Sequence, residues 1–273
     1  MILYPNCKIN LGLQILQKRA DGFHDLETVF YPIPLKDGLE IVQNPSSSWG
    51  EMEFTSSGLA MDLPPEKNIC YKAWQLVKAD FPQLPSLQMH LHKVIPSGAG
   101  LGGGSADGAF TLALLNQKFR LGLTQEQLLQ YALQLGSDCP FFIINQPCVA
   151  RGRGEKMDPI PLDLSAYRIL LVNPGIPVNT GWAFSQITPR GDRESLRAII
   201  NLPVEEWKHH LINDFEEPIF SHFPEIKKIK EQLYGQGAVY AAMSGSGSTV
   251  YGLFSESLQP GLSFPPHYFM KSI

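Results

Sequence analysis

Apolar and polar residues alternate along the start of the chain, and this period-two pattern predicts a β-strand over residues 1–16. One side of that strand is apolar and consists of Ile9, Leu11, Leu13 and Ile15. Lys8 and Asn10 fall together on the opposite side, because successive side chains of a strand point to opposite faces. This polar side is either the solvated face of a half-buried strand or the lining of a site, and the pattern leaves both open.

The same alternation predicts further strands at 26–33, 39–43, 87–95, 168–172, 238–243, 249–254 and 267–270, and an apolar run predicts a buried one at 141–144. Residues 44–60 are rich in Ser and Gly and are predicted to form an excursion between strands. Apolar residues at helical spacing predict helices near 68–81, 106–117, 124–135, 181–187, 192–200 and 224–233, with another that begins at Val204. Thr124 and Gln127 form a capping box for the third of these helices, and Gly136 is its C-terminal stop.

A glycine-rich loop over residues 96–107 separates a predicted strand from a predicted helix. Five of its residues are glycines that fall within seven positions: Gly98, Gly100, Gly102, Gly103 and Gly104. Backbone N–H groups in such a run can approach a ligand without an intervening side chain, and a helix N-terminus favours negative charge. The loop is therefore predicted to bind phosphate.

Three kinds of phosphate loop are compatible with glycine runs. A Walker A loop is excluded, because neither Gly-Lys-Ser nor Gly-Lys-Thr occurs in the chain. Gly98, Gly100 and Gly103 match the GxGxxG fingerprint of dinucleotide-binding folds, but a second helix follows where that fold needs another parallel strand. The third kind is a glycine loop without its own lysine, which would use charged groups from elsewhere, and Lys8 and Asp138 are the candidates.

Asp138 stands between the stop of one helix and an apolar segment, where it is either a cap or a functional carboxylate. Phe23 and His24 follow a polar turn at 18–22, where a loop presents them to packing or to a planar ligand. Residues 151–154 read Arg-Gly-Arg-Gly, which predicts a flexible basic turn and a domain boundary.

Composition narrows the class of protein. The 273 residues are 44% hydrophobic and 18% charged, which is typical of a globular chain, and no apolar run approaches the ~18 residues of a membrane helix. A net charge of −4 argues against nucleic-acid binding. The start of the chain lacks a signal-peptide pattern, and the four cysteines form no CxxC pair, so we expect reduced thiols and a cytoplasmic protein.

The loop at 96–107 closely resembles the phosphate-binding loop of the GHMP kinases, named for galactokinase, homoserine, mevalonate and phosphomevalonate kinases. Residues 5–11 and 243–249 resemble two further motifs of the same superfamily, in the expected order. Within it, the chain resembles the branch that acts on 4-diphosphocytidyl-2-C-methyl-D-erythritol. The segments that carry this second resemblance are 8–11, 19–24, 101–106, 136–138, 213–216 and 244–247.

The resemblance implies an α+β fold with two lobes: an N-terminal ATP-binding lobe like ribosomal protein S5 and a C-terminal ferredoxin-like lobe, with the active site in the cleft. The implied domains are 1–156, with about 262–273 returning to the first domain as its last strand, and 157–261. The implied reaction is ATP-dependent phosphorylation of the 2-hydroxyl of the methylerythritol portion, with Mg²⁺, in the non-mevalonate route to isoprenoid precursors. The alternatives are another GHMP kinase, of the mevalonate or homoserine type, or a non-catalytic relative that binds ATP or a sugar.

The resemblance also implies a role for individual residues. Asp138 would accept the hydroxyl proton, with Lys8 beside it. The substrate would be bound by Asn10, Phe23, His24, Thr180, Phe184 and Gly245, with the cytosine ring stacked between Phe23 and Phe184 and its edge hydrogen-bonded to His24. The ATP would be bound by Pro96, Ser97, Gly98, Ala99, Gly100, Leu101, Gly102, Gly103, Gly104, Ser105 and Ala106, with Asn68 near the adenine.

Three positions depart from the family pattern. Phe23 replaces a tyrosine, which keeps the stacking face and removes a hydroxyl. Ala99 replaces a glycine, which is harmless unless that position needs a positive φ. Asp107 stands where Asn is usual, and since a carboxylate would repel phosphate, we expect its side chain to point away from the nucleotide. The magnesium ligands are not identified by the pattern, and Ser105 is the single candidate.

Overall fold

The computed structural model describes residues 1–44, 50–61, 63–258, 261 and 263–273, and many of these residues form β-strands. The strands are β1 (Ile2–Leu3), β2 (Asn6–Lys18), β3 (His24–Lys36), β4 (Gly38–Gln43), β5 (Met52–Gly58), β6 (Leu87–Lys93), β7 (Cys148–Gly152), β8 (Lys156–Pro159), β9 (Tyr167–Asn173), β10 (Tyr240–Met243), β11 (Val250–Ser255) and β12 (Phe269–Ser272). The helices are α1 (Ile69–Asp80), α2 (Gly103–Phe119), α3 (Gln125–Leu135), α4 (Cys139–Ile144), α5 (Thr180–Ser185), α6 (Leu196–Ile199), α7 (Trp207–His210), α8 (Glu216–His222) and α9 (Pro224–Gly235). Short 3₁₀ turns form at Pro65–Lys67 and Val204–Glu206.

Two compact units contain these elements. Unit 1 consists of Met1–Cys7, Pro34–Ser97 and Gly102–Asn145. Unit 2 consists of Lys8–Ile33, Gly98–Leu101 and Gln146–Ile273. The glycine loop is thus divided between them, since Gly98–Leu101 belongs to unit 2 and the residues from Gly102 onward belong to unit 1.

Unit 1 is a four-stranded sheet of order β1-β4-β6-β5 covered by helices α1 to α4. The alternation predicted for β6 is present, because Leu87, Met89 and Leu91 are buried in the core and the residues between them are not. Strand β5 pairs parallel to β6, in a stretch that the sequence predicts as an excursion; residues 45–49 of that stretch lie outside the described residues. The capping box of α3 is confirmed, with Thr124 accepting from the Gln127 N–H group and Gln127 accepting from the Thr124 N–H group.

The strand predicted at 141–144 is wrong, because this segment is the helix α4. A run of four apolar residues has no period of its own, so it does not distinguish a buried strand from a buried helix. Pro140 lies in the first turn, where proline favours a helix start, and residues 139–142 are buried. The helix packs on α2 and α3, and this burial selects the helical form.

Unit 2 has two four-stranded sheets. Their strand orders are β10-β11-β9-β12 and β2-β3-β7-β8. One end of β2 and one end of β3 belong to unit 1. The predicted hairpin is confirmed as β10 and β11, which pair antiparallel from Tyr240↔Leu253 to Met243↔Val250. Helix α9 packs on that hairpin through Ile226, Ile229 and Leu233, which share a hydrophobic core with Leu13 and Ile15 of β2.

The last strand is a correction to the sequence prediction. Strand β12 pairs antiparallel with β9, from Phe269↔Asn173 to Ser272↔Leu170, so it extends a sheet of residues 157–261 instead of returning to the first predicted domain. The boundary near residue 156 stays a prediction. None of the helices in the described part of the chain is long and apolar enough to cross a membrane.

Candidate active site

Lys8 and Asn10 form the centre of a polar cluster on β2. Both residues are buried, with 4% and 2% of their surface exposed, so the solvated-face interpretation of this strand is wrong. The Lys8 ammonium donates to Asn10 Oδ1 at 2.6 Å and lies over the Phe30 ring, 4.8 Å from its centroid. The Asn10 amide donates in turn to Thr28 Oγ1 at 2.9 Å, which fixes which side of the amide faces the lysine.

The first half of the glycine loop is bonded to this cluster. The Lys8 N–H group donates to Leu101 O at 2.9 Å, and Ser244 Oγ donates to Gly100 O at 2.8 Å while accepting from the Asn10 N–H group at 3.2 Å. Gly100 has φ +79°, and a Cβ atom there would lie 2.0 Å from Ser244 O. Only glycine fits such a close backbone approach in that conformation. The predicted phosphate loop and the 244–247 turn therefore meet within unit 2.

Two predicted substrate residues lie at the same turn. Gly245 O accepts from the Asn213 amide at 2.8 Å, and that amide donates to Met243 O at 2.8 Å as well. Thr180, the first residue of α5, exchanges a hydrogen bond with Ser246 between their hydroxyls at 3.0 Å. The structure thus brings Lys8, Asn10, Gly245 and Thr180 into one connected network.

Ser244, Asn213 and Thr28 are the members of this network to which the sequence assigned no role. Ser244 and Asn213 lie within motifs that resemble the family. The sequence therefore indicated the two segments, but not the hydrogen bonds that these side chains make. Thr28 is one residue of a predicted strand and carries no local signal.

The predicted nucleobase residues form a separate aromatic group in unit 2. The His24 ring stacks on the Phe184 ring, with centroids 4.9 Å apart and an interplanar angle of 17°. Phe184 meets the buried Phe215 edge-on at 87°, which fixes its plane. Burial, with a smaller effect from the charge of Lys18, lowers the pKa of His24, so its ring is neutral at pH 7 and has one N–H donor and one acceptor. Phe23 is half-exposed, and its ring lies under the guanidinium of Arg153.

The second half of the glycine loop begins α2 in unit 1. Gly102 is the N-cap with φ +69° and has no side chain to cap the helix, so the first N–H groups of this 17-residue helix are not satisfied by a capping side chain. Such a helix start attracts phosphate. Ala99, in the first half of the loop, is unstrained, because the non-glycine residues with positive φ in the described ranges are Arg120 and Asn145.

That the Asp107 side chain points away from the nucleotide stays a prediction. Asp107 belongs to α2 and is buried in unit 1. It is 2% exposed and accepts from the Lys93 ammonium at 2.8 Å, and Lys93 also donates to Asp37 at 2.5 Å. Burial, partly offset by Lys93 and reinforced by Asp37, raises the pKa of Asp107 to about 8. Burial alone would lower the pKa of Lys93, but the two carboxylates outweigh it and raise that pKa. We call Asp37, Lys93 and Asp107 the buried triad.

Asp138 and Asn68 occupy the N-cap positions of two helices in unit 1. Asp138 is half-buried at the start of α4, and its side chain makes no capping hydrogen bond, which removes the cap interpretation. Asn68, in contrast, uses its Oδ1 to cap α1 by accepting from the Cys70 N–H group at 2.9 Å. Its amide nitrogen is directed to Met61 Sδ at 3.7 Å.

The chain is similar in sequence to known proteins, over its two domains and over nearly its whole length. A profile described as GHMP kinases N terminal domain matches residues 68–146, and one described as GHMP kinases C terminal matches residues 187–260. The chain belongs to the GHMP kinases, and the predicted α+β class with two such domains is confirmed. A relative from Bacteroides fragilis, named 4-diphosphocytidyl-2-C-methyl-D-erythritol kinase, is 54% identical over 256 residues, 93% of this chain and 92% of its own. At that identity and coverage, the chain is a member of the 4-diphosphocytidyl-2-C-methyl-D-erythritol kinase family.

Solved structures agree with this assignment. A crystal structure of 4-(cytidine 5'-diphospho)-2C-methyl-D-erythritol kinase has a TM-score of 0.78 at 31% identity, covering 93% of this chain and 90% of that one. A crystal structure of mevalonate kinase has a TM-score of 0.71 at 12% identity, with 94% and 92% coverage. The second likeness shows a shared fold alone.

Proposed function

We propose that this chain transfers the γ-phosphoryl group of ATP to the 2-hydroxyl of 4-diphosphocytidyl-2-C-methyl-D-erythritol and releases ADP. The observation that carries the proposal is the 54% identity over nearly the full length of a relative that bears the name of this kinase. The polar network around Lys8 and the aromatic group around His24 support it, because they offer separate places for an anionic reacting centre and for a planar base.

The aromatic group suits a cytosine ring. A hydrogen bond to an imidazole nitrogen lies near the plane of the ring, so a base joined to His24 edge to edge can lie coplanar with it. Since His24 is tilted by only 17° from Phe184, the same base would also be nearly parallel to the Phe184 ring. A neutral His24 has both a donor and an acceptor, and the edge of cytosine also presents both. Phe23 would cover a face of the base.

The phosphoryl transfer itself needs few protein groups. Asp138 accepts the proton of the 2-hydroxyl, the hydroxyl oxygen forms a bond to the γ-phosphorus, and the bond from that phosphorus to the leaving oxygen of ADP breaks. Lys8 stabilises the negative charge of the transferring group, and Asn10, whose amide is oriented by Thr28, hydrogen-bonds the substrate near the reacting oxygen. The backbone N–H groups from Gly98 to Ser105 bind the ATP phosphates, and Thr180 contacts the diphosphate of the other substrate.

The magnesium ion enters as part of the nucleotide substrate in this proposal. Among the described residues, no group of three or more His, Cys, Asp or Glu side chains is placed to hold a metal ion. Mg²⁺ commonly keeps several waters and is bound through substrate phosphates, so a protein cage is not required. Ser105, in the first turn of α2, remains the candidate for a direct contact with Mg–ATP.

The proposal is tested by the choice of acceptor. The purified protein is incubated with Mg–ATP and, separately, the cytidyl substrate, mevalonate and homoserine, and ADP release is measured. We expect turnover with the cytidyl substrate. Absence of ADP release with it, or faster release with another acceptor, would overturn the proposal and favour another GHMP kinase or a non-catalytic relative.

A second experiment tests the role of Asp138. Asp138→Asn keeps the shape of the side chain and removes its basicity, so we expect kcat to fall by about 10²-fold or more while the Kd for ATP stays within a few-fold. Asp192→Asn is the matched control, because Asp192 is an exposed aspartate of unit 2 outside both groups described above. Retained turnover in Asp138→Asn would remove Asp138 from the base role without affecting the assigned reaction.

A further inference from the structure

The turn between β7 and β8 is closed by strand pairing and by a side-chain hydrogen bond. The two strands pair up to Arg151↔Lys156, and Gly152 and Gly154 adopt φ +71° and +106°. The Glu155 carboxylate accepts from the Arg153 N–H group at 2.6 Å, and a Cβ atom at position 152 would lie 2.8 Å from that carboxylate. The positive φ therefore favours glycine at 152, and Arg153 lies within this closed turn.

Arg153 is directed onto Phe23. The centre of its guanidinium group lies 3.7 Å from the centroid of the Phe23 ring, within the range of a cation–π contact. Both groups belong to unit 2, so this contact lies within one unit. A planar guanidinium can lie flat on an aromatic face, which a lysine ammonium cannot do.

Hydrogen bonds hold the backbone of Phe23, but no hydrogen bond can hold its ring. The Phe23 carbonyl accepts from the Arg19 N–H group at 2.8 Å, and the Phe23 N–H group donates to Asp21 Oδ1 at 3.1 Å. These bonds fix the main chain. The side chain, however, is 48% exposed and has no polar atom, so stacking and packing alone can set the plane of the ring.

We propose that Arg153 is a positioning residue for recognition of the nucleobase: it covers one face of Phe23 and holds the ring so that the other face stacks on the base of the cytidine-diphosphate substrate. This inference rests on the proposed function. It assigns a role in substrate recognition to the 151–155 turn, which is distant in sequence from both aromatic residues of the base site. The phosphoryl-transfer step does not involve Arg153.

Kinetics of Arg153→Gln test the inference. Glutamine keeps a planar polar group and removes the charge, so the KM for the cytidyl substrate rises at least about threefold, and up to roughly 30-fold for a desolvated cation–π contact. The kcat and the KM for ATP stay within about twofold of wild type, since chemistry and nucleotide binding use other residues. Arg153→Lys, which keeps the charge, restores part of the affinity. Lys156→Gln removes one positive charge from an exposed position of the same hairpin and is the matched control.

A double-mutant cycle with Phe23→Leu separates positioning from direct contact. If Arg153 acts through the ring, Arg153→Gln adds little to Phe23→Leu, and the two changes in KM are not additive. Full additivity would mean that Arg153 binds the substrate diphosphate directly, and this would overturn the positioning role. Calorimetric titration with cytidine 5'-diphosphate gives the same comparison as a Kd and does not depend on turnover.

The outcomes distinguish the inference from the function on which it rests. Wild-type protein that does not phosphorylate the cytidyl substrate contradicts the proposed function. Wild-type protein that does, together with an Arg153→Gln variant whose KM and Kd stay within twofold of wild type, overturns the inference alone. If Arg153→Gln does not fold, Arg153→Lys decides, and unchanged binding in that variant counts against the inference because a guanidinium stack is lost.

Discussion

The buried triad of Asp37, Lys93 and Asp107 gives the sharpest stability prediction. The three side chains are 0%, 1% and 2% exposed, and one ammonium stands between two carboxyl groups. Lys93→Met would leave the Asp37 carboxylate in the core of unit 1 without a cation, beside an Asp107 carboxyl group that mostly holds a proton at pH 7. Removal of one partner of a buried ion pair costs about 3–5 kcal/mol, because the remaining charge is uncompensated. We expect the free energy of unfolding to fall by this amount, which lowers Tm by roughly 6–20 °C at about 2–4 °C per kcal/mol.

Asp107→Asn is expected to act in the opposite direction. The pKa of Asp107 is raised from 3.8 to about 8, so the folded protein holds a proton that the unfolded chain releases. The stability from this group is complete below pH 3.8 and is lost as the pH rises towards 8. Asparagine does not titrate and avoids that loss. The variant should therefore be at least as stable as wild type at pH 7, with an advantage that grows between pH 5 and 8 by up to about 1.4 kcal/mol per pH unit.

Urea unfolding at pH 5.5, 7.0 and 8.5 measures both effects. Far-UV circular dichroism and tryptophan fluorescence should be recorded together, since two units can unfold separately. Titration of Lys93 does not contribute to the pH dependence between pH 5.5 and 8.5, because its pKa is raised above 10.5 and it stays charged throughout this range. The argument fails if Lys93→Met lies within about 1 kcal/mol of wild type, or if Asp107→Asn is the less stable protein at pH 8.5.

Two further predictions concern the glycine loop in unit 2. Gly100→Ala puts a Cβ atom 2.0 Å from Ser244 O at φ +79°, so kcat/KM for ATP should fall at least about tenfold. Gly98→Ala is the control, because Gly98 has φ +65° but open space around it, and its loss of kcat/KM should be clearly smaller. Equal losses in the two variants would contradict the role of close approach. Ser244→Ala removes the hydrogen bonds to Gly100 O and from the Asn10 N–H group, so the free energy of unfolding should fall by about 1–3 kcal/mol and the KM for ATP should rise, as measured by urea unfolding and steady-state kinetics.

Local patterns predicted most of the elements because each of those patterns has a local physical cause. The capping box at Thr124 satisfies orphan N–H groups of its own helix, and the two strands at 238–243 and 249–254 are joined by their own turn. The helix α4 was missed for a physical reason as well. Its apolar run lacks a period, and its helical form depends on packing against α2 and α3, which are known only after folding.

Local sequence patterns could not predict the contacts of the buried triad and of the candidate site, because these contacts join positions that are distant along the chain. Lys93 and Asp37 are separated by 56 residues, and Asn10 and Ser244 by 234. The departure of Asp107 from the family pattern predicted that its side chain avoids the phosphates, since like charges repel. Nothing in the sequence, however, indicated that Lys93 would be its partner.

The polar face of β2 shows most clearly what alternation can and cannot decide. Lys8 and Asn10 share a face, as the period of a strand requires, and the pattern cannot tell whether water or protein covers that face. Burial of an ammonium is costly unless its hydrogen bonds are satisfied. In this chain Asn10 Oδ1 accepts from the Lys8 ammonium, and Thr28 fixes the Asn10 amide that receives it. Burial of both residues, together with these hydrogen bonds, decides what the period alone leaves open, because protein and not water covers this face of β2.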